Sequence, residues 1–274
     1  MISPRRICYV AGNTFVEAVR QRFFNFLALL CMAMVAGSLF FQQFDFGKGE
    51  IKFVMDFGFG AILFFGYILS IVVTAQLFFS EIENRTALTI LAKPIKRADF
   101  IAGKFVGIAL VLGTFVVMMS LLLGGVIFWR EGLLMQAHPE VFSEGRLINY
   151  MEFMLYAFIQ WLRFGVLIGT TMLIASFAKT NLYTVSVSFF VLLICQMQYI
   201  AQGMWAGIEN PIQRALAWLI SYIFPNFQLF NLSDQIALGG ELGPGTFVRI
   251  IAYATVYIVA SLGLAVYSFN RREI

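Results

Sequence analysis

Six apolar runs, each about 20 residues long, leave this chain few ways to fold. They cover roughly Phe23–Phe41, Phe57–Phe79, Phe105–Trp129, Phe153–Ala178, Leu182–Gly203 and Phe247–Phe269. A helix rises about 1.5 Å per residue, so each run suffices for a hydrocarbon core about 30 Å thick. A transmembrane barrel would need segments of alternating polarity about ten residues long, and these runs are continuous. Only 12% of the residues are charged and mean hydropathy is +0.84, whereas soluble domains carry about 25% charged residues. The expectation is a single all-α integral membrane domain spanning 1–274, with about six transmembrane helices.

The most polar interruption, Glu81 to Phe105, holds Arg85, Lys93, Lys96, Arg97 and Lys104, five of the chain's 19 Lys and Arg. So much charge marks a water-facing side. Yet apolar residues recur through it. Thr86 to Ala92 reads as a short helix that Lys93 closes and Pro94 stops, with Leu88 and Leu91 on one face. A second helical start follows at Ala98–Asp99. An amphipathic helix of this kind needs a surface to lie on, either lipid headgroups or a partner protein.

Residues 1–22 are too polar to span. Ile7, Val10, Ala11, Thr14, Phe15 and Ala18 form a helical stripe, with Glu17 and Arg20 mostly off it. This reads as an interfacial helix leading into the first span. The run after it is too long for the h-region of a signal peptide. Polar loops are expected at Gln42–Asp56 and Arg130–Asn149, and a very short turn at Lys179–Asn181. The third span opens with Gly103-x-x-x-Gly107, a spacing that lets helices approach closely. The region 204–246 is apolar but broken by Pro211 and Pro225. Its pieces are too short to span and read as re-entrant or surface helices, with Trp205, Trp218, Tyr222, Phe227 and Phe230 suited to an interfacial belt. Placing both termini inside puts twelve Lys and Arg inside and six outside, which favours N-in and C-in with the 81–104 stretch cytoplasmic.

Little in the sequence carries chemistry. No G-x-x-x-x-G-K-[ST] string is present, so energy for active transport would come from a partner or an ion gradient. Ion-coupled carriers carry acidic residues deep in their spans, and none lies there. The sole histidine, His138, excludes a histidine metal cluster within the chain. No catalytic residue, cofactor or metal is expected, and no disulfide among Cys8, Cys31 and Cys195. The net charge of +4 bears on topology and gives no reason to expect nucleic acid. Arg163 is the one charge inside a span. It is either a substrate or gating contact or one half of a structural ion pair with Glu152. Gln76, Gln196, Gln198 and Gln202 either line a pathway or bond across helices.

The order Glu81, Arg85-Thr86, Leu91-Ala92-Lys93-Pro94-Ile95-Lys96-Arg97, Gly103-Lys104 resembles the cytoplasmic loop of the type-2 ABC exporter permeases. Asn13 to Phe24 is similar to their N-terminal interfacial helix, and Tyr222 to Asp234 to the extracytoplasmic region before their last helix. Within that family the chain looks most like the permeases grouped with multi-copper-enzyme maturation and gliding. Arg85 stands where many members have Gly. The resemblance covers nearly the whole chain and implies the type V ABC exporter fold in a bacterial inner membrane. It implies a dimer with a second copy or a paralogue, and a separate ATP-binding-cassette ATPase under each half. It further implies that the 81–104 loop is the coupling helix, with Glu81, Arg85, Thr86, Leu88, Leu91, Lys93, Pro94 and Arg97 facing the ATPase and the Glu17–Arg20 helix assisting. The competing readings are a non-transporting membrane scaffold or assembly factor, and a passive channel.

Overall fold

The structure, a computed structural model, describes residues 4–39, 48–83, 97–137, 148–205, 210, 212–213, 221–233 and 243–271. Seven α-helices are described: α1 Pro4–Arg20, α2 Arg22–Gly37, α3 Lys48–Glu83, α4 Arg97–Ala137, α5 Tyr150–Phe177, α6 Asn181–Trp205 and α7 Pro244–Asn270. A 3₁₀ turn, Phe227–Phe230, lies between α6 and α7. No strand occurs among the described residues. Among the described residues, five helices are long and apolar enough to cross a membrane, and α1 with α2 would make a sixth if the bent pair is one span. The chain is a multi-pass membrane protein.

α1 and α2 meet at a 64° bend. Gln21 makes it by leaving the helix for extended backbone at φ −67° and ψ 128°. α2 alone is 16 residues, about 24 Å, shorter than the span expected to run to Phe41. The apolar stripe of α1 turns inward onto α4. Ala11, Thr14 and Ala18 are buried, while Tyr9 on the far side is 81% exposed. Gly103 and Gly107 permit this approach. A methyl group at Gly103 would stand 2.6 Å from Val10 Cβ, and one at Gly107 would stand 2.7 Å from the Ala11 carbonyl oxygen. The close-approach spacing in the sequence therefore serves the interfacial helix. Gly107→Leu is expected to lift α1 off the bundle, on the scale of about 1–3 kcal/mol for overpacking. Faster protease cleavage within 4–20, with the spans still protected, would be the readout.

Two expected loops are partly helical. α3 begins at Lys48, inside the expected loop Gln42–Asp56, and α4 continues to Ala137, past the expected end at Trp129. Polar partners hold these extensions together. Arg130 Nε donates to Glu50 Oε1 as a salt bridge between α4 and α3. The buried Glu131 accepts the Tyr150 hydroxyl at 2.8 Å, joining α4 to α5. Hydropathy ends where these pairs begin, so a polar helix was read as loop.

α5 is the centre of the bundle. It packs on α7, α3, α4 and α6, and its most apolar window is 72% buried. Aromatic contacts fix its register on α3, with the Phe59 ring 5.0 Å from Phe153 and 4.6 Å from Tyr156. α6 and α7 bury only 28% and 22% of their windows, so each keeps a wide apolar face outward.

Candidate functional site

Two polar assemblies sit in this apolar bundle, one at the end that carries α1 and one in its interior. At the α1 end, Lys104 is fully buried. Its Nζ donates to the Leu77 carbonyl at 2.8 Å and lies 4.0 Å from Glu17 Oε2 and 5.9 Å over the Phe100 ring. Ser80 Oγ donates to Glu17 Oε1 at 3.3 Å. One ammonium thus ties α1, the last turns of α3 and the first turns of α4. Arg97 reaches the other way. Its Nη1 donates to the carbonyls of Phe269 at 2.7 Å and Asn270 at 3.0 Å, and its guanidinium lies 5.6 Å over the Phe269 ring. These are terminal carbonyls of α7, which favour a cation. The start of α4 is therefore braced twice, by Lys104 on the α3 end beside α1 and by Arg97 on the C-terminal end of α7.

The interior assembly surrounds Arg163 on α5, 3% exposed. Arg163 Nη2 donates to Gln196 Oε1 at 2.8 Å and Nη1 to Gln160 Oε1 at 3.3 Å. The guanidinium carbon is 5.2 Å from the ring centroids of both Tyr67 and Phe227, which stack at 6.2 Å. Each glutamine turns its oxygen to the guanidinium and its nitrogen away. Gln196 Nε2 donates to the Tyr67 hydroxyl at 3.0 Å, and Gln160 Nε2 to the Phe230 carbonyl at 2.8 Å. The expected pair with Glu152 does not form. Eleven residues of helix separate the two, about 16 Å, and Glu152 Oε2 has no hydrogen-bond partner.

The segment over Arg163 is held from three helices. Gln198 Nε2 donates from α6 to the carbonyls of Ser221 and Phe224, both at 2.9 Å. From α7, the Tyr253 hydroxyl accepts the Asn226 amide at 2.7 Å and the Tyr257 hydroxyl donates to the Tyr222 carbonyl at 3.0 Å. From α5, the Tyr156 hydroxyl donates to Asn231 Oδ1 at 3.3 Å. Phe227 and Phe230 were expected in an interfacial belt, but both are fully buried, because the 3₁₀ turn puts i and i+3 on one side. Tyr222 is 65% exposed, as a belt residue would be.

Residues 9–274 match the family model described as ABC-2 family transporter protein. The chain belongs to this family. No curated protein matches it. ABC-2 proteins are non-catalytic membrane subunits, with ATP hydrolysis in a separate ATPase subunit, and this chain is accordingly a permease subunit of an ABC transporter. Among the described residues no group of His, Cys, Asp and Glu could hold a metal ion.

In this ABC-2 permease, the sequence-derived residues fall into three sets. Arg85, Thr86, Leu88, Leu91, Lys93 and Pro94 lie outside the described residues, as does most of 204–220 and 234–242. Glu81 is in the last turn of α3, and Arg20 is exposed at the end of α1. Glu17, Arg97, Arg163, Gln196 and Gln198 have the partners given above. Gln76 lines an open groove of about 430 Å³ with Gln21, Arg22, Ser80 and Asn181. Sequence reasoning missed Tyr67 and Gln160. Gln160 had a signal, since i and i+3 share a helical face with Arg163. Tyr67, on a different helix, had none. Lys104 was read as a solvent-facing charge and is buried.

Proposed function

We propose that this chain is the membrane half of an exporter in a bacterial inner membrane. In this reading it works as a dimer and is driven by a cytoplasmic ATP-binding-cassette ATPase that docks on the 81–104 loop. The observation that carries this is the bracing of the start of α4, where that loop enters the bundle. Lys104 holds the α3–α4 ends to α1, and Arg97 holds the start of α4 to the end of α7. A push on the stretch is thereby applied to α1, α3, α4 and α7 together. A surface helix resting on lipid needs no such bracing. The dimer is supported by the outward apolar face of α6, with Phe190, Leu193 and Met197 exposed.

The test is copurification from native membranes with hydrolysis measured before and after substrate-free reconstitution. An ATPase that stays with the permease and hydrolyses ATP supports the reading, and a permease that purifies alone opposes it. Orientation has its own check. In a chain lacking the native cysteines, single cysteines at Ser3, Thr89 and Ser268 should resist impermeant thiol reagents in whole cells, while those at Lys48, Ser143 and Glu241 should react. Labelling of position 89 from outside would reverse the proposed topology.

A further inference from the structure

Arg163 has no carboxylate to answer it among the described residues. Its electrostatic neighbours are Tyr67, Tyr156 and Cys195, and its hydrogen bonds go to two neutral amides. Its Nε has no hydrogen-bond partner. A cation inside a spanning bundle is costly, and amide oxygens offset only part of that cost. With the covering segment closed, no carboxylate of a second copy reaches Arg163, which is 3% exposed. Above it lies the 221–233 segment. Phe227 of that segment stands against the guanidinium, and the Phe230 carbonyl is held by Gln160, whose other end is held by Arg163.

We propose that Arg163 is the floor of an oxyanion-binding site, and that the 221–233 segment is the lid that an oxyanion releases. A phosphate, sulfate or carboxylate accepts two N–H bonds from a guanidinium, where each amide oxygen accepts one. Bound across Nη1 and Nη2, such a group displaces Gln160 Oε1 and Gln196 Oε1. Gln160 is then no longer oriented toward the Phe230 carbonyl. The lid keeps its bonds to Gln198, Tyr253 and Tyr257, so it loosens at 226–231 and stays attached at Ser221–Phe224. This inference rests on the permease reading for its purpose, since a released lid opens the bundle at the end opposite α1.

The experiment is hydrogen–deuterium exchange of the intact permease in phosphatidylcholine nanodiscs, following the amides of Asn226, Gln228 and Asn231. One arm adds inorganic phosphate or sulfate, matched in ionic strength with chloride. A second replaces part of the phosphatidylcholine with phosphatidic acid. Exchange up to about tenfold faster in either arm is expected, the scale of one neutral hydrogen bond. The responding arm tells a free oxyanion from a lipid headgroup. Arg163→Gln should abolish the response. Gln160→Leu, which keeps the charge, should make exchange fast without any anion and leave nothing for the anion to add. No acceleration in either arm overturns the proposal, as does an undiminished response in Arg163→Gln or in Gln160→Leu. ATPase copurification from the same preparations is scored separately, so its failure would remove the permease reading and leave the anion result standing.

Discussion

Leu88→Ala combined with Leu91→Ala is expected to release the proposed ATPase from the purified complex, while the permease still inserts. In the short helix that the sequence predicts from Thr86 to Ala92, the spacing puts both leucines on one face and Pro94 sets where that face would end. Apolar anchors at the centre of an interface cost about 2 kcal/mol or more each on truncation. Two of them together reduce affinity by at least about a hundredfold at 1.4 kcal/mol per tenfold. Lys96→Ala, by contrast, changes affinity little, because an exposed rim charge is replaced by water. No span is touched, so membrane levels of the double mutant should equal wild type. The measurement is ATPase retained per permease after purification. Full retention with normal coupling would remove these side chains from the interface.

Lys104→Met is expected to uncouple hydrolysis from transport with the proposed ATPase still bound. Methionine fills most of the space but cannot donate to the Leu77 carbonyl or attract Glu17, so α4 loses its polar tie to the α3 end and α1 keeps only the Ser80 bond to Glu17. Loss of a buried hydrogen bond to a charged donor is worth about 1.5–3 kcal/mol. Removing the other partner should matter less. Glu17 is 38% exposed and 4.0 Å away, so Glu17→Gln loses an attraction that solvent largely screens. The expected order is therefore Lys104→Met far more severe than Glu17→Gln, read as transport per ATP hydrolysed. Equal effects would mean that the Glu17 pair, and not the Leu77 carbonyl, holds the junction.

The same contrast marks how far the sequence could be read. Hydropathy and charge counts yielded the helical membrane class, because a backbone in lipid has few alternatives to the helix. They misplaced helix ends wherever a polar pair continued a helix out of the apolar window, as Glu50 with Arg130 does. Arg163 stood out in one dimension as a lone charge, and its nearest carboxylate along the helix, Glu152, was the natural partner to name. Its real partners, Gln196 and Tyr67, come from other helices and carry no mark in sequence of facing it. Lys104 was misread for a related reason. It follows a basic loop, but it is seven residues inside α4 and turned to the Leu77 carbonyl. Gly103 and Gly107 were legible as a close-contact face, though not as the seat of α1, since spacing names a face and not its occupant.

A photoreactive side chain at Leu91, in the wild-type background and in living cells, tests the central claim most directly. The account predicts one major adduct, with a chain carrying a G-x-x-x-x-G-K-[ST] string, formed in the cytoplasm and lost when Leu88 is also changed to Ala. Adducts with lipid alone, or with a protein that binds no nucleotide, would contradict it.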